Sequence, residues 1–277
     1  MTSGNDAGSW VRAHSRAGER LELIRALFPD LASELDAAAA RHVVPGAAEA
    51  LDARLDGAAA RLLPQAAFAD VAEPESARRI ERSFAAARVA SAWVGVEMPE
   101  AEAFAEAGVD FARLGEALAS EPALVAVPAP FGCGADAWRG AFAPGAAGSS
   151  TLVLAAEAER EFELLDAAPA NTPSVTTARV TWTLRLIPAG ERPPVLGLGF
   201  AHGPHVTLPE MLMLQLMLIA DDAPPIDSAS FTWLEGALAG GRLAARHVYD
   251  ESERAIRITC REIGNQGPHL GARTPVG

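Results

Sequence analysis

Apolar residues run almost unbroken from Leu208 to Ala220, where only Pro209, Glu210 and Gln215 interrupt them. A helix without a polar stripe must be enclosed by protein on nearly every side, so the spacing predicts a core helix over 208–220. Thr207 is a suitable N-cap, Glu210 completes a T-x-x-E capping box, and Pro209 lies in the first turn, where a missing N–H costs little. Val206 and Met211 stand at the two ends of a hydrophobic staple. The segment is well short of the roughly twenty residues that span a bilayer, and its Asp221-Asp222 exit favours a soluble domain.

Toward the N-terminus the period is helical. Residues 1–17 are small and polar, a loose lead-in. Over 18–63, Leu21, Ile24, Leu27 and Phe28, then Leu31 and Leu35, then Leu51, Leu55 and Leu62 recur at three-and-four spacing, with Pro29, Pro45 and Pro64 as stops. Pro74 opens a further helix with Ile80, Phe84, Ala87, Val89 and Trp93 on its apolar side and Arg78, Arg79, Arg82 and Arg88 on its wet side. Glu75 and Arg79 are spaced to pair on that helix. From Glu100 to Ala119 the pattern is again helical, with Gly108 and Gly115 predicting a break or a tight crossing.

Residues 121–150 turn rich in Pro, Gly and Ala, which predicts a linker or functional loop and a domain boundary, with one short strand at Leu124–Val127. Beyond it the period becomes two. Val180, Trp182, Leu184 and Leu186 alternate with Arg179, Thr181, Thr183 and Arg185, the pattern of a half-buried strand. Shorter strands are expected at 151–155, 195–200 and 230–234. A hairpin is expected from 242–249 and 254–263, with Ile256, Ile258 and Cys260 inward and Arg257 and Arg261 outward. The predicted class is α+β: a lead-in at 1–17, a helical region at 18–120, the 121–150 segment, and an α+β domain at 151–277. In that last domain a mostly antiparallel sheet packs on the buried 208–220 helix.

Composition narrows the function classes. A net charge of −13 supplies no basic footprint for nucleic acid and disfavours an anionic membrane surface. The 23 basic residues are all arginine. Without lysine there is no Walker A loop, no Schiff-base enzyme and no S-x-x-K acyl enzyme. A GC-rich coding bias is the favoured reason for that absence over a functional one, and the exclusions stand regardless. Cys133 and Cys260 form no C-x-x-C, and the first twelve residues carry no apolar export core. The expectation is a cytoplasmic protein with idle thiols, no cofactor and no metal.

Four segments recur in a recognisable order: T-L-P-E from Thr207 to Glu210, F-T-W-L-E-G from Phe231 to Gly236, G-R-L-A-A from Gly241 to Ala245, and G-N-Q-G-P-H-L-G from Gly264 to Gly271. In that order residues 120–275 resemble an uncharacterised family of actinobacterial proteins. The resemblance implies no activity and assigns no residue a role.

The candidate chemistry is sparse. His202 and His205 at i,i+3 offer two metal ligands, with His247, His269, Asp221, Asp222 or Asp227 to complete a set, but a cation beside a helix N-terminus is disfavoured. An anion held against the free N–H groups of the 208–220 helix by His202, His205 and Thr207 is the better expectation. Gly197, Gly199 and Gly203 approximate a dinucleotide fingerprint with the wrong spacing, and residues 145–151 resemble a phosphate loop without its lysine, read as linker. Arg242, Arg246, Arg257 and Arg261 share one hairpin face, with Arg179 and Arg185 adjoining. It suits an anion, an acidic partner or the acidic helical half of the same chain. The leading expectation is therefore a non-catalytic binding or assembly protein, taking a protein partner, a second copy or a small anion. The alternative is an enzyme acting on a small anionic substrate through His202 and His205.

Overall fold

The computed structural model describes residues 66–143, 145–146, 150–196 and 202–277. The helices expected within 18–63, the strand positions 197–200, most of the glycine-rich 197–203 run and part of the 145–151 loop lie outside the described residues. After a 3-10 turn at Ala66–Phe68, the elements are α1 Pro74–Val94, α2 Ala101–Glu106, α3 Phe111–Ser120, β1 Leu124–Phe131, α4 Ala135–Phe142, β2 Thr151–Leu154, α5 Ala156–Arg160, α6 Phe162–Leu165, β3 Ser174–Thr176, β4 Thr181–Pro188, β5 Val195–Leu196, α7 Leu208–Ala220, β6 Phe231–Leu238, β7 Leu243–Asp250, β8 Ala255–Glu262 and β9 Leu270–Ala272. Helices dominate the first part and sheets the second, an α+β protein.

The strands form two sheets, a three-stranded one in the order β1-β4-β3 and a six-stranded one in the order β2-β8-β7-β6-β9-β5. Only the β2–β8 and β6–β9 pairings are parallel among the described strands. Helix α7 packs on α1 and β1. Its residues from Leu208 to Met217 are all buried, as a helix without a polar stripe requires. The T-x-x-E capping box is present, with Val206 and Met211 both buried beside it.

Several sequence expectations are corrected. The 121–150 segment, read as a linker or functional loop, holds β1 and α4. Strand β1 runs straight through Pro128 and Pro130, opposite Leu184 and Trp182. In this register the ladder bonds fall on Val125, Val127 and Ala129, so both prolines turn their missing N–H to the open edge. Arg79 does not pair with Glu75. It donates to the carbonyls of Leu118, Pro122 and Leu124 at 2.6, 2.9 and 2.6 Å, tying α1 to the end of α3 and to β1, while Glu75 pairs with Arg78 and Arg82. Val89 is exposed, and Ala86, Ala90 and Val94 take the buried positions instead.

Gly108 ends the segment between α2 and α3, and Gly115 provides the tight crossing. A Cβ on Gly115 would stand 2.5 Å from Val71 Cγ1. Phe84 meets Phe68 and Phe104 edge-on, and Phe68 meets Phe111 likewise, closing the helical end of the core.

Strand β4 is buried on both faces rather than one, because Thr183, Arg185 and Ile187 are covered as fully as Trp182, Leu184 and Leu186. Beyond β9 the chain crosses to the other sheet, where Val276 and Leu186 exchange backbone hydrogen bonds at 2.7 and 2.9 Å.

Candidate functional site

The two polar residues inside the apolar α7 run nucleate two buried polar clusters. Glu210 sits at the helix N-terminus, where the dipole favours a negative charge. Its carboxylate accepts the Thr207 N–H at 2.9 Å and the Thr207 hydroxyl at 2.8 Å. Arg185 of β4 grips it bidentately, Nε to Oε1 at 2.6 Å and Nη2 to Oε2 at 2.7 Å. The chain's own carboxylate thus stands at this helix end, where an anion was expected, and the Thr207 hydroxyl is used inside the cap. Arg185, expected beside the arginine face, is buried instead.

A break in the β6 register between Trp233 and Ala237 brings the Glu235 N–H to the Val206 carbonyl at 2.9 Å. The Glu235 carboxylate then lies 3.9 Å from Arg185 Nη2. Burial pushes the Glu235 carboxyl above its ordinary range; Arg185 opposes that and Glu210 adds to it.

Gln215, five residues further along, opens the second cluster. Its amide donates to the Ile226 carbonyl at 3.0 Å and meets His247 Nε2 at 3.2 Å. His247 Nδ1 lies 3.0 Å from Asp227 Oδ2, which also accepts the Thr232 hydroxyl at 2.7 Å. Asp227 Oδ1 takes Arg273 Nη2 at 2.5 Å, and Arg273 further donates to the carbonyls of Pro188 and Gly190. Asp227 holds φ +63, fixed by its N–H on Glu191 O and its carbonyl under Tyr249 N–H. All five side chains are fully buried. Burial alone would raise the Asp227 carboxyl, but the His247 hydrogen bond and the Arg273 guanidinium outweigh it and hold it below its ordinary value. An Asp–His pair of this kind orients an imidazole for proton transfer in hydrolases. Here the Gln215 amide occupies the place of the group that would give up its proton, so the array works as an internal brace.

His202 and His205 part company. His205 is buried under Gly203, where a Cβ would stand 2.6 Å from the imidazole Cε1. His202 is exposed, with Nε2 3.2 Å from the carbonyl of Leu243. Leu243 pairs with Glu262 and Ala244 with Arg261, which puts His202 at the Arg261 end of the sheet. Among the described residues no three His, Cys, Asp or Glu side chains are grouped to hold a metal ion.

On the face of the six-stranded sheet away from the main core, Arg246, Arg257 and Arg261 share one side with Thr259 and with the buried Trp233 and Ala244. Arg257 is spent on Asp250, at 3.0 Å, and on Glu253, closing the hairpin turn. Arg242 donates to the Ala239 carbonyl at 3.1 Å. Arg246 is held in place: its guanidinium stacks 3.9 Å over the Phe231 ring and its Nε donates to Thr259 Oγ1 at 2.9 Å. Arg261 is exposed and makes no hydrogen bond or ion pair among the described residues. Burial, then the charge of Arg261, draws the Arg246 guanidinium below its ordinary value.

Sequence reasoning missed Gln215, Asp227 and Arg273 as one cluster. A lone amide in an otherwise apolar helix was the available signal, since a buried amide needs partners; Arg273 carried none. The chain matches no protein-family model, no curated protein and no solved structure. No described helix is long and apolar enough to cross a membrane.

Proposed function

We propose that this is a non-catalytic binding protein that docks an acidic protein segment on that face of its six-stranded sheet, at Arg246, Arg261 and His202. One observation carries the reading: Arg246 and Arg261 stand diagonally across neighbouring strands on one face, in a chain of net charge −13, with no described carboxylate paired to either. A carboxylate between them is gripped by Arg forks. Arg246 is already ordered by Phe231 and Thr259, so less side-chain entropy is lost on binding. A small anionic substrate held at the N-terminus of α7 is the less favoured reading, because the Glu210 carboxylate stands there.

Titration calorimetry with hexaglutamate and with inorganic phosphate separates the two readings. Hexaglutamate is expected to bind, to weaken with salt, and to weaken at least tenfold in the Arg246→Gln/Arg261→Gln variant. Binding of phosphate alone, unaffected by that variant, overturns the proposal.

A further inference from the structure

Independently of the arginine face, the geometry points to a second binding site: an extended peptide added as a fourth strand to β3, with its side chains set into the groove beside it. Two observations meet here. The first is an open backbone edge. In the β3–β4 hairpin Ser174 faces Thr183, Val175 faces Trp182 and Thr176 faces Thr181, and the Thr177 N–H donates to the Val180 carbonyl at 2.9 Å. Ladder bonds alternate along an antiparallel pair, so Val175 and Thr177 bond to β4. The N–H and C=O groups of Ser174 and Thr176 point outward, and β3 is the last strand of its sheet. No described backbone group bonds to either residue on that side. Such an edge is a template for another strand.

The second is a groove of about 520 Å³ at the turn end of this strand, between the 95–100 segment that follows α1 and residues Val175 and Thr177 to Val180. Val96, Met98, Pro99, Val175 and Val180 give it apolar walls. Val175 shares its face of the sheet with the buried Trp182, so alternate side chains of an added strand would enter the groove on that side. The mouth carries opposite charges: Glu97 on one wall and Arg179 on the other, both exposed and neither ion-paired among the described residues. Backbone pairing supplies affinity and the pocket supplies selectivity in this mode of recognition. The occupant that fits is an extended peptide with alternating apolar side chains, flanked by one basic residue to face Glu97 and one acidic residue to face Arg179.

The test is a random heptapeptide phage library panned on the intact chain, followed by hydrogen exchange of the best synthetic peptide in complex. Enriched sequences should alternate apolar residues and carry both charges, and the Ser174 and Thr176 amides should gain protection. Thr176→Pro removes one outward N–H that the fold does not use, and should weaken binding at least tenfold with an unchanged Tm. If that variant proves unstable, Arg179→Glu in the exposed turn should lose the acidic preference and select a basic residue instead. No enrichment, protection elsewhere, or peptides that bind both variants as they bind the parent chain would overturn the proposal.

Discussion

Gln215 Nε2 stands 3.2 Å from His247 Nε2, and the same amide group donates to the Ile226 carbonyl at 3.0 Å. The Ile226 contact fixes which end of the amide is NH₂, because an amide oxygen there would face a carbonyl. The His247 Nε2 must then accept, leaving Nδ1–H to donate to Asp227. The Gln215 amide and the Asp227 carboxylate therefore select the same tautomer of an imidazole on the neighbouring sheet. A two-bond ¹H–¹⁵N spectrum of the imidazoles should show one ring in the Nδ1–H form, and Gln215→Leu should keep that form because the Asp227 carboxylate still accepts from Nδ1–H. An Nε2–H signal for His247 in the parent chain would contradict the assignment.

Removing the carboxylate of Asp227 leaves the fully buried Arg273 without its counter-charge. Asp227→Asn is expected to cost about 3–5 kcal/mol in urea unfolding, the range for breaking one side of a buried ion pair.

Because the folded Asp227 carboxyl lies below the ordinary carboxylate value of 3.8, it stabilises the fold above that value. The contribution fades as the pH falls through the lower, folded-state value. Unfolding free energy measured from pH 7 to pH 2.5 should therefore drop below about pH 4, and Asp227→Asn should drop less steeply there.

The Arg185–Glu210 pair calls for a double-mutant cycle. Glu210→Gln should destabilise by about 3–5 kcal/mol, since it strands Arg185 and weakens the α7 cap. Arg185→Met with Glu210→Met should recover part of that loss, because paired replacement removes both desolvation costs. Additive losses in the double variant would deny the coupling.

Two glycines should respond in opposite directions. Gly203→Ala forces a Cβ to within 2.6 Å of the buried His205 ring, which should cost about 1–3 kcal/mol. Gly140, in α4 with nothing within 4 Å, should gain about 0.5–1 kcal/mol as alanine. Thermal unfolding of the two variants side by side reads both signs.

The thiols should be sluggish. Burial, with the Asp166 charge behind it, pushes the Cys133 thiol up to about 12, and burial raises Cys260 as well. At pH 8 the Cys133 thiolate fraction is then on the order of 10⁻⁴, so Ellman's reagent should label it far more slowly than in urea-denatured chain. Labelling at equal rates would refute this.

The sequence by itself determined the elements whose physics is local. The capped α7, the break at Gly108 and the β7–β8 hairpin follow from neighbouring residues, because capping, turn preference and side-chain period act within a few positions. The α+β class followed from the change of period along the chain. The tertiary structure alone decided what the polar residues do. Arg185 alternates along β4 like a solvent-facing residue, yet it is buried because Glu210 meets it across the core. Pro128 and Pro130 read as linker, yet they sit in β1 because their register turns them to an open edge. Arg273 binds Asp227, 46 residues away, and nothing local marks either one. Long-range pairing of charges and choice of sheet edge are properties of the assembled chain, set by which surfaces meet in the core rather than by any stretch of sequence.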